Sequence, residues 1–330
     1  MYDFGKVLPP PLMMLILGWL QNSIGSDLVL RFIFVIADVL IGRTLASLSG
    51  SNEGMLVHLL NPLAIMACVG RNLNLFNILL ILIALNAAKS RQSIVASTSI
   101  ALATYFDLRS AVFSLPVFLL LKDRQSKVIA TATFAALLAI TLSLFGPGYL
   151  ESVYFSRLRV DDLRPNCGLF WYFHQQVFAT FSSLFKVTLQ LVPMAFVISS
   201  AIKFSHDPLF LAFILQASQT ILKADPSAAD YVLLFGLLYT QRQLLERTRI
   251  TFILLFGLAG IFVFLMRVWD YLIQYNGFNM NFYYSFTLAW NIVLVMITLE
   301  MVLAHLKEKI YTDNPVLNEK EFEKCKLMQR

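Results

Sequence analysis

The sequence predicts an all-α, polytopic membrane protein with about 9–12 membrane segments of the length that a bilayer requires. Apolar residues make up 58% of the 330 positions and charged residues only 14%, whereas soluble domains carry about 25% charged residues. The mean hydropathy is +0.69, and apolar runs recur along the whole chain. A single soluble core stops growing near about 250–300 residues, so lipid must solvate most of this surface.

The apolar runs define the candidate segments in chain order. A full helical span needs about 20 apolar residues, and several runs are shorter, so we expect half-spans, re-entrant pieces or tilted interfacial helices among them. A transmembrane barrel would alternate apolar and polar residues, and these runs are apolar on every face. The segments are 9–20, 28–48, 55–69, 73–88, 93–106, 110–121, 128–145, 168–185, 187–203, 208–222, 227–240, 250–269 and 285–305.

The two ends of the chain differ in composition. No positively charged region leads into a cleavable apolar core after Met1, so a signal peptide is not predicted. Residues 306–330 are polar and charged, which predicts a tail outside the bilayer. No linker or shift in composition divides the rest, so residues 1–305 are predicted to form one membrane domain.

Lys and Arg residues indicate the orientation. They concentrate in Lys122–Lys127, in Gln241–Arg249 and in the tail from Lys307. Positively charged loops remain in the cytosol, so we expect a cytosolic C-terminus. The loops 146–167 and 270–284 then lie on the opposite side.

The number of segments between the first two basic loops is inconsistent with that orientation. Five segments cannot return a chain to its starting side, so one of them is not a full span. The short segments 208–222 and 227–240, which are joined through Lys223, Asp225 and Pro226, are the candidates.

Several classes of chemistry find no support in the sequence. The chain contains no DxD, HExxH, GxSxG or Walker motif, so no catalytic site and no cofactor are predicted. Cys68, Cys167 and Cys325 lack metal-ligand spacing, and the arginines around Asp161 and Asp162 weaken that pair as metal ligands. The net charge of +6 is not accompanied by a basic stretch interleaved with aromatics, so no nucleic-acid partner is predicted.

The most informative stretch is PNCGLFWYFHQQVFATFSSLF at 165–185. A Pro-Asn-Cys-Gly turn precedes Phe170, Trp171 and Tyr172, and aromatic side chains favour the membrane–water boundary. One interpretation is an aromatic belt. The other is a cradle for a lipid headgroup, with Asn166 forming hydrogen bonds above the rings.

A second stretch, YNGFNMNFYYSFTLAWN, covers Tyr275–Asn291. Asn276, Asn279 and Asn281 crowd an uncharged loop, and amides bind sugar hydroxyls or phosphate oxygens without an added charge. The alternative is an ordinary turn, because Asn-Gly is common turn chemistry. Asn291 lies deeper in the segment, where a buried amide favours contact between helices.

Asp38 is the clearest ionisable residue within an apolar segment. Such residues are costly in a membrane and indicate a functional or structural partner. Arg31 and Arg43 are the nearest cations in the sequence, and a structural ion pair between helices is the predicted role.

Several of these motifs together resemble one family. PNCGLFWYF at 165–173 is similar to the signature of the phosphatidylinositol-glycan class U (PIG-U) subunit of glycosylphosphatidylinositol (GPI) transamidase. Asp38 in IADVL is similar to another family motif. Further similar motifs, in the same order, are HLLNPLAIMACV at 58–69, SIALATYF at 99–106, AIKFSHDPLF at 201–210 and NMNFYYSFTLAWN at 279–291.

The resemblance implies a multi-pass subunit of the endoplasmic reticulum membrane, with a fold similar to the lipid-linked-sugar glycosyltransferase (GT-C) membrane fold. It implies no catalysis by this chain, since a cysteine-protease-like subunit performs the transamidation alongside accessory membrane subunits. The chain would bind and present the GPI glycolipid. The residues to which the resemblance assigns lipid contact are Asn166, Phe170, Trp171, Tyr172, Asn279, Asn281 and Phe282.

The sequence departs from the family in two places. Family members usually start with an extra membrane helix and a first luminal loop, and this chain begins roughly where that loop should end, so these elements are expected to be missing. Asp107 and Arg109 also stand where relatives are less charged.

Two other functions stay open at this stage. A dolichol-phosphate-mannose-dependent mannosyltransferase of GPI synthesis would suit NPLAI at 61–65, but it needs an acidic base in the first luminal loop. A membrane transporter would show an inverted repeat, and none is visible in the sequence.

Overall fold

A computed structural model describes residues 10–24, 27–155, 165–275, 277 and 279–313. Helices dominate this part of the chain, and no strand occurs within it. The elements are α1 (Pro11–Ile24), α2 (Asp27–Ser49), α3 (Glu53–Leu59), α4 (Pro62–Val69), α5 (Asn74–Lys89), α6 (Ser93–Phe106), a 3₁₀ helix (Leu108–Phe113), α7 (Ser114–Leu121), α8 (Arg124–Phe145), α9 (Gly148–Leu150), a π-helical turn (Glu151–Phe155), α10 (Phe170–Gln176), α11 (Ala179–Phe204), α12 (Pro208–Leu222), α13 (Ala228–Thr240), α14 (Arg242–Leu245), α15 (Thr251–Gln274) and α16 (Met280–Asp313).

Four of the described helices are long and apolar enough to cross a membrane. These spans are Arg124–Phe145, Thr180–Phe204, Thr251–Leu272 and Met280–Thr312. Five shorter apolar helices accompany them, at Asn74–Lys89, Ser93–Phe106, Leu108–Leu121, Pro208–Leu222 and Ala228–Thr240. The predicted all-α, polytopic membrane fold is therefore confirmed, and its similarity to the GT-C fold stays a prediction.

The helices form two compact units, Met1–Thr240 and Gln241–Arg330. The predicted membrane domain 1–305 and tail 306–330 divide the chain elsewhere, at a boundary that falls inside α16. Residues 314–330 of that tail lie outside the described residues, so this division stays a prediction.

Helix α12 lies at the centre of the first unit. It packs against α11, α13 and α7, and all eight of its residues from Phe210 to Ala217 are buried. Helices α5 and α6 form the closest pair in the unit. Ala84, Ala88 and Ala96 are fully buried there, and such small side chains let membrane helices approach closely.

The short helices of this unit run between two polar ends. Helix α5 begins at Asn74 and ends at Lys89, α6 and α7 turn around Asp107–Ser110, and α12 runs from Pro208 to Leu222. At about 1.5 Å per residue, α5, α6 and α12 are only about 21–24 Å long and α7 about 12 Å, shorter than the hydrocarbon core of about 30 Å. Two clefts of different chemistry lie at their opposite ends.

Three predicted segments are divided differently in the structure. The segment 55–69 is two helices, because Asn61 ends one and caps the next through a bond from the Leu63 N–H to its Oδ1 (3.0 Å), with Pro62 at the first helical position. The segments 168–185 and 187–203 become the seven-residue α10 and a continuous α11.

The number of membrane-length helices between the two basic loops bears on the orientation. Between Lys122–Lys127 and Gln241–Arg249, two of the described helices, α8 and α11, are long enough to cross a membrane, and α12 and α13 are shorter. An even number of crossings returns the chain to its starting side. The interpretation of 208–222 or 227–240 as less than a full span stays a prediction.

The second unit is held by aromatic contacts between α15 and α16. Phe264 and Phe286 stack with ring centroids 5.9 Å apart, and Trp269 lies 5.4 Å from Tyr283. Such ring pairs add about 0.5–1.5 kcal/mol beyond the area that they bury. The aromatic residues of the second predicted stretch therefore serve first to pair these helices.

Candidate functional site

The Pro-Asn-Cys-Gly turn is fixed to the loop between α12 and α13. Asn166 Nδ2 donates to the carbonyl of Ala224 (3.1 Å), and its Oδ1 accepts from the Gly168 N–H (2.6 Å). The Tyr231 hydroxyl reaches the Cys167 carbonyl at 3.5 Å. Both polar ends of the Asn166 amide are thus engaged within the protein, and this residue positions the turn.

Gly168 permits the close approach of these two segments. A Cβ at this position would lie 2.8 Å from Asn166 Oδ1, 2.9 Å from Pro226 Cδ and 3.2 Å from the Lys223 carbonyl. Any larger residue would separate the turn from the loop. Only glycine therefore allows this close approach.

Helix α10 follows the turn and carries the aromatic candidates. Trp171 is 0% exposed, and its ring packs edge-on against Tyr172 at 5.6 Å. Phe170 and Tyr172 are half-buried. The helix therefore anchors on Trp171, while its two neighbours keep part of their rings at the surface.

His174 lies in the last turn of the same helix. Burial, and to a smaller extent the Lys186 ammonium, lowers the pKa of His174 from its ordinary value of 6.5. The imidazole is therefore neutral at pH 7. A neutral ring suits the partly buried position that it occupies.

The α12–α13 loop is built around one carboxylate. Asp230 accepts from Lys223 Nζ at 2.7 and 2.9 Å, and from the Ser227 N–H (2.7 Å) and hydroxyl (2.9 Å). Ser227 directly precedes α13 and Asp230 is its third residue, which is the spacing of a capping box. This carboxylate is saturated by structural donors.

A polar cleft lies beside this loop, at one end of the short helices. Gln216 donates to the Asp230 carbonyl (2.8 Å), Gln219 to the Arg109 carbonyl (3.3 Å), and Asn77 to the Ser110 hydroxyl (2.8 Å). Hydrogen bonds of this kind join α5, the 3₁₀ helix and α12 and leave few polar groups exposed to lipid.

The cleft holds a cavity of about 30 Å³. That volume is enough for a single water molecule, which needs at least about 10–15 Å³ by this measure, and too small for a sugar. Among the described residues, none forms an ion pair with the Arg109 guanidinium. The cleft is therefore a small polar junction, in which the two cations Arg109 and Lys223 are matched in number by Asp107 and Asp230.

The remaining three candidates lie in the second unit, at the start of α16. Asn279 precedes the helix, and its Oδ1 accepts from the Asn281 N–H (3.1 Å), so it caps the helix. Asn281 is exposed and Phe282 is 46% exposed. These two side chains are placed at the surface, where a ligand can reach them.

The two intramembrane polar residues have local partners. Asp38 Oδ1 lies 2.8 Å from His58 Nε2, and both residues are buried, at 8% and 3% exposure. This contact joins α2 to α3, and its partner is His58 rather than Arg31 or Arg43. The Asn291 amide donates to the Thr287 carbonyl one turn earlier in α16 (2.8 Å).

Sequence reasoning missed the polar cleft, although a signal for it exists. Gln216, Gln219 and Lys223 recur every three to four residues along α12, so they share one face. The motif Ser-Ala-Ala-Asp at 227–230 matches the capping-box spacing. His58 carried no comparable signal, because its contact with Asp38 spans twenty residues and two helices.

The fold and these sites define a class: a multi-pass helical membrane protein whose polar groups fix short helices and loops in place. Within the described residues, no group of three or more His, Cys, Asp or Glu side chains is arranged to hold a metal ion. Its exposed aromatic and amide groups suit contact with lipids or partner proteins.

Comparison with known proteins supplies the family. The sequence model described as GPI transamidase subunit PIG-U matches residues 1–290. The chain is 28% identical to the human GPI-anchor transamidase component PIGU, over 78% of this chain and 63% of that protein. It is 26% identical to the GPI transamidase component GAB1 of Saccharomyces cerevisiae, over 96% of this chain and 83% of that protein. A homologue of GAB1 in Schizosaccharomyces pombe is 23% identical, over 78% of this chain and 65% of that protein.

The chain belongs to the PIG-U family of GPI transamidase subunits. The match covers most of the chain and includes Asp38, the first aromatic stretch and all of the second except Asn291. The alignment spans 63% of the length of the human relative.

Proposed function

We propose that this chain is a non-catalytic membrane subunit of a GPI transamidase, which binds the GPI lipid and presents it for attachment to precursor proteins. The observation that carries the proposal is the family match over residues 1–290, which contains every candidate lipid-contact residue. The relatives compared above are named as components of this transamidase.

From their exposure and hydrogen bonds, we assign the seven candidates to two roles: contact with the lipid, and support of the residues that contact it. Phe170 and Tyr172 keep part of their surface accessible, and Asn281 and Phe282 are exposed. These four side chains are proposed to contact lipid. Three others hold them in place: Asn166 through its bonds to the backbone, Trp171 through burial, and Asn279 as a helix cap.

Two carboxylates with structural partners support a non-catalytic role. Asp230 accepts hydrogen bonds from Lys223 and Ser227, and Asp38 is paired with His58. A general base needs an accessible lone pair within reach of substrate. The proposal therefore assigns catalysis to a cysteine-protease-like subunit of the same complex, which other accessory membrane subunits complete.

The same proposal places the chain in the endoplasmic reticulum membrane with a cytosolic C-terminus. Its four membrane-length helices agree with a multi-pass protein. The basic loops at Lys122–Lys127 and Gln241–Arg249 support the orientation, since positively charged loops remain cytosolic.

The test measures GPI lipid and partner subunits that co-purify with the tagged chain in mild detergent. The double variant Asn281→Ala/Phe282→Ala should lower the bound GPI lipid several-fold and leave the recovery of partner subunits unchanged. Phe256→Ala is the matched control, because Phe256 is an exposed aromatic of the same unit on the other helix.

Asn279 needs separate treatment because it caps α16. Asn279→Ser preserves a capping oxygen, so this variant should bind lipid nearly as well as the wild type if the residue only supports the helix. Normal lipid recovery with Asn281→Ala/Phe282→Ala would remove these two side chains from the site. Failure to recover any transamidase subunit with the wild-type chain would contradict the proposed function itself.

A further inference from the structure

A basic cleft of about 870 Å³ lies at the opposite end of the short helices from the polar cleft. Three helix connections surround it: α5 to α6, α7 to α8, and α11 to α12. Its cationic residues are Arg91, Lys122, Arg124 and Lys127, with His206 beside them. None of these residues belongs to the candidate lipid-presenting groups described above.

The charge of the cleft is not compensated by its own carboxylate. Four fixed cations and Asp123 line it, which leaves a net charge of +3. Asp123 is occupied as the cap of α8, since its Oδ1 accepts from the Gln125 N–H (2.9 Å) and its Oδ2 from the Ser126 hydroxyl (3.2 Å). Within the described part of the chain, no ion pair involves Lys122, Arg124 or Lys127.

Local geometry holds two of the cations in place. Arg91 Nη1 donates to the Leu121 carbonyl at the end of α7 (3.2 Å). Arg91 and Lys122 both have positive φ angles, 60° and 55°, at helix ends where glycine is the usual residue. Cations at these positions also stabilise the helix C-termini. These two charges of the cleft are therefore favourable for the stability of the fold.

Two membrane-length helices have an end at the cleft, which favours a position near the membrane surface. Helix α8 begins at Arg124, and α11 ends at Phe204, directly before the Ser205–His206 turn that lines the cleft. The apolar residues Phe118, Leu119 and Leu120 line it together with the cations. Cations beside apolar side chains at the ends of such helices suit a phospholipid, which combines a charged headgroup with apolar chains.

A second groove, of about 400 Å³, lies between the starts of α6 and α8. Its lining residues are Gln92, Ser93, Ile94, Val95, Gln125 and Ile129. Gln92 and Gln125 directly follow Arg91 and Arg124 in the sequence, so the groove offers apolar surface close to two of the cations.

We propose that the basic cleft binds the phosphate of an anionic membrane phospholipid, whose acyl chain follows the groove between α6 and α8. The predicted orientation places this site in the cytosolic leaflet. Lys and Arg side chains near an anionic membrane surface attract its lipid headgroups. The site is independent of GPI binding, which the proposed function assigns to other residues.

The test titrates the delipidated full chain with dioleoylphosphatidylserine, dioleoylphosphatidylcholine or inorganic phosphate, and counts bound ligand by native mass spectrometry. The wild type should bind phosphatidylserine about tenfold more tightly than phosphatidylcholine. Removal of three charges, in Lys122→Gln/Arg124→Gln/Lys127→Gln, should abolish this preference. The matched control Arg249→Gln/Lys307→Gln/Lys309→Gln removes three charges outside the cleft and should retain it.

Two further variants keep the test independent of folding. Lys122→Arg/Lys127→Arg retains the charge and should bind phosphatidylserine as the wild type does, and Lys127→Gln alone should weaken binding two- to fivefold. An equal loss in the control triple variant would show a diffuse effect of net charge and overturn the site. Binding of inorganic phosphate as tight as that of phosphatidylserine would overturn the assignment to a lipid.

Discussion

At the scale of single residues, the first aromatic stretch owes its position to contacts that its sequence does not reveal. Gly168 and Asn166 fix the turn against a loop almost sixty residues later. Both residues therefore have a structural role in the turn. Lipid contact by Asn166 and by its half-buried neighbours Phe170 and Tyr172 stays a prediction.

Gly168→Ala should destabilise the protein, because the added Cβ would lie 2.8–3.2 Å from three atoms, two of them in the loop after α12. Overpacking of this kind costs about 1–3 kcal/mol, and the thermal unfolding midpoint in detergent should fall. Gly260→Ala is the control, since a Cβ there meets no atom within 4 Å and the exchange favours helix. An unchanged midpoint for Gly168→Ala would show that the turn is not held as described.

Asp38 shows that a sequence can predict a buried pair between helices without identifying the partner residue. An acidic residue within an apolar helix must have a partner, so a pair between helices was predictable. The identity of the partner was not, because His58 reaches Asp38 only after the chain reverses between α2 and α3. Arg31 and Arg43 are closer in sequence but exposed on α2.

At the scale of helices and loops, the apolar runs predicted which helices exist better than they predicted where each helix begins and ends. The segments 73–88, 93–106 and 208–222 agree with the observed helices to within one residue. The errors occur where apolar side chains continue through a break. Val177 and Phe178 are apolar, yet both adopt extended ψ angles near 140°, and composition alone gives no sign of this.

The α12–α13 loop should depend on Asp230. Asp230→Ala would leave the partly buried Lys223 ammonium without its carboxylate and remove the cap of α13, at a cost of about 2–4 kcal/mol. Hydrogen exchange should rise both in residues 223–230 and in the turn at 165–168, because Asn166 binds the Ala224 carbonyl.

Asp225→Ala is the matched control for this loop, since Asp225 is exposed in the same segment. Its exchange pattern should equal that of the wild type. Faster exchange confined to residues 223–230 in Asp230→Ala would mean that the turn is held by other contacts.

At the scale of the whole molecule, the short helices place opposite chemistry at their two ends. One end carries the closed polar cleft and the Pro-Asn-Cys-Gly turn, and the other carries the basic cleft. The basic residues were visible in the sequence and indicated the cytosolic side. Their convergence into one cleft was not visible, because it requires three connections that are distant in sequence to meet in space.

This arrangement makes the topology testable with single cysteines. In a background with Cys68, Cys167 and Cys325 replaced, Gln125→Cys and Gln243→Cys lie in the two basic loops, and Gly277→Cys lies in the loop between α15 and α16; all three positions are exposed. A membrane-impermeant maleimide added to intact microsomes should label the first two and should label Gly277→Cys only after permeabilisation. One membrane-length helix, α15, separates Gln243 from Gly277, so labelling of all three positions in sealed vesicles would contradict the orientation. Protection of both Gln125→Cys and Gly277→Cys, with labelling of Gln243→Cys, would show that an odd number of crossings separates the two basic loops.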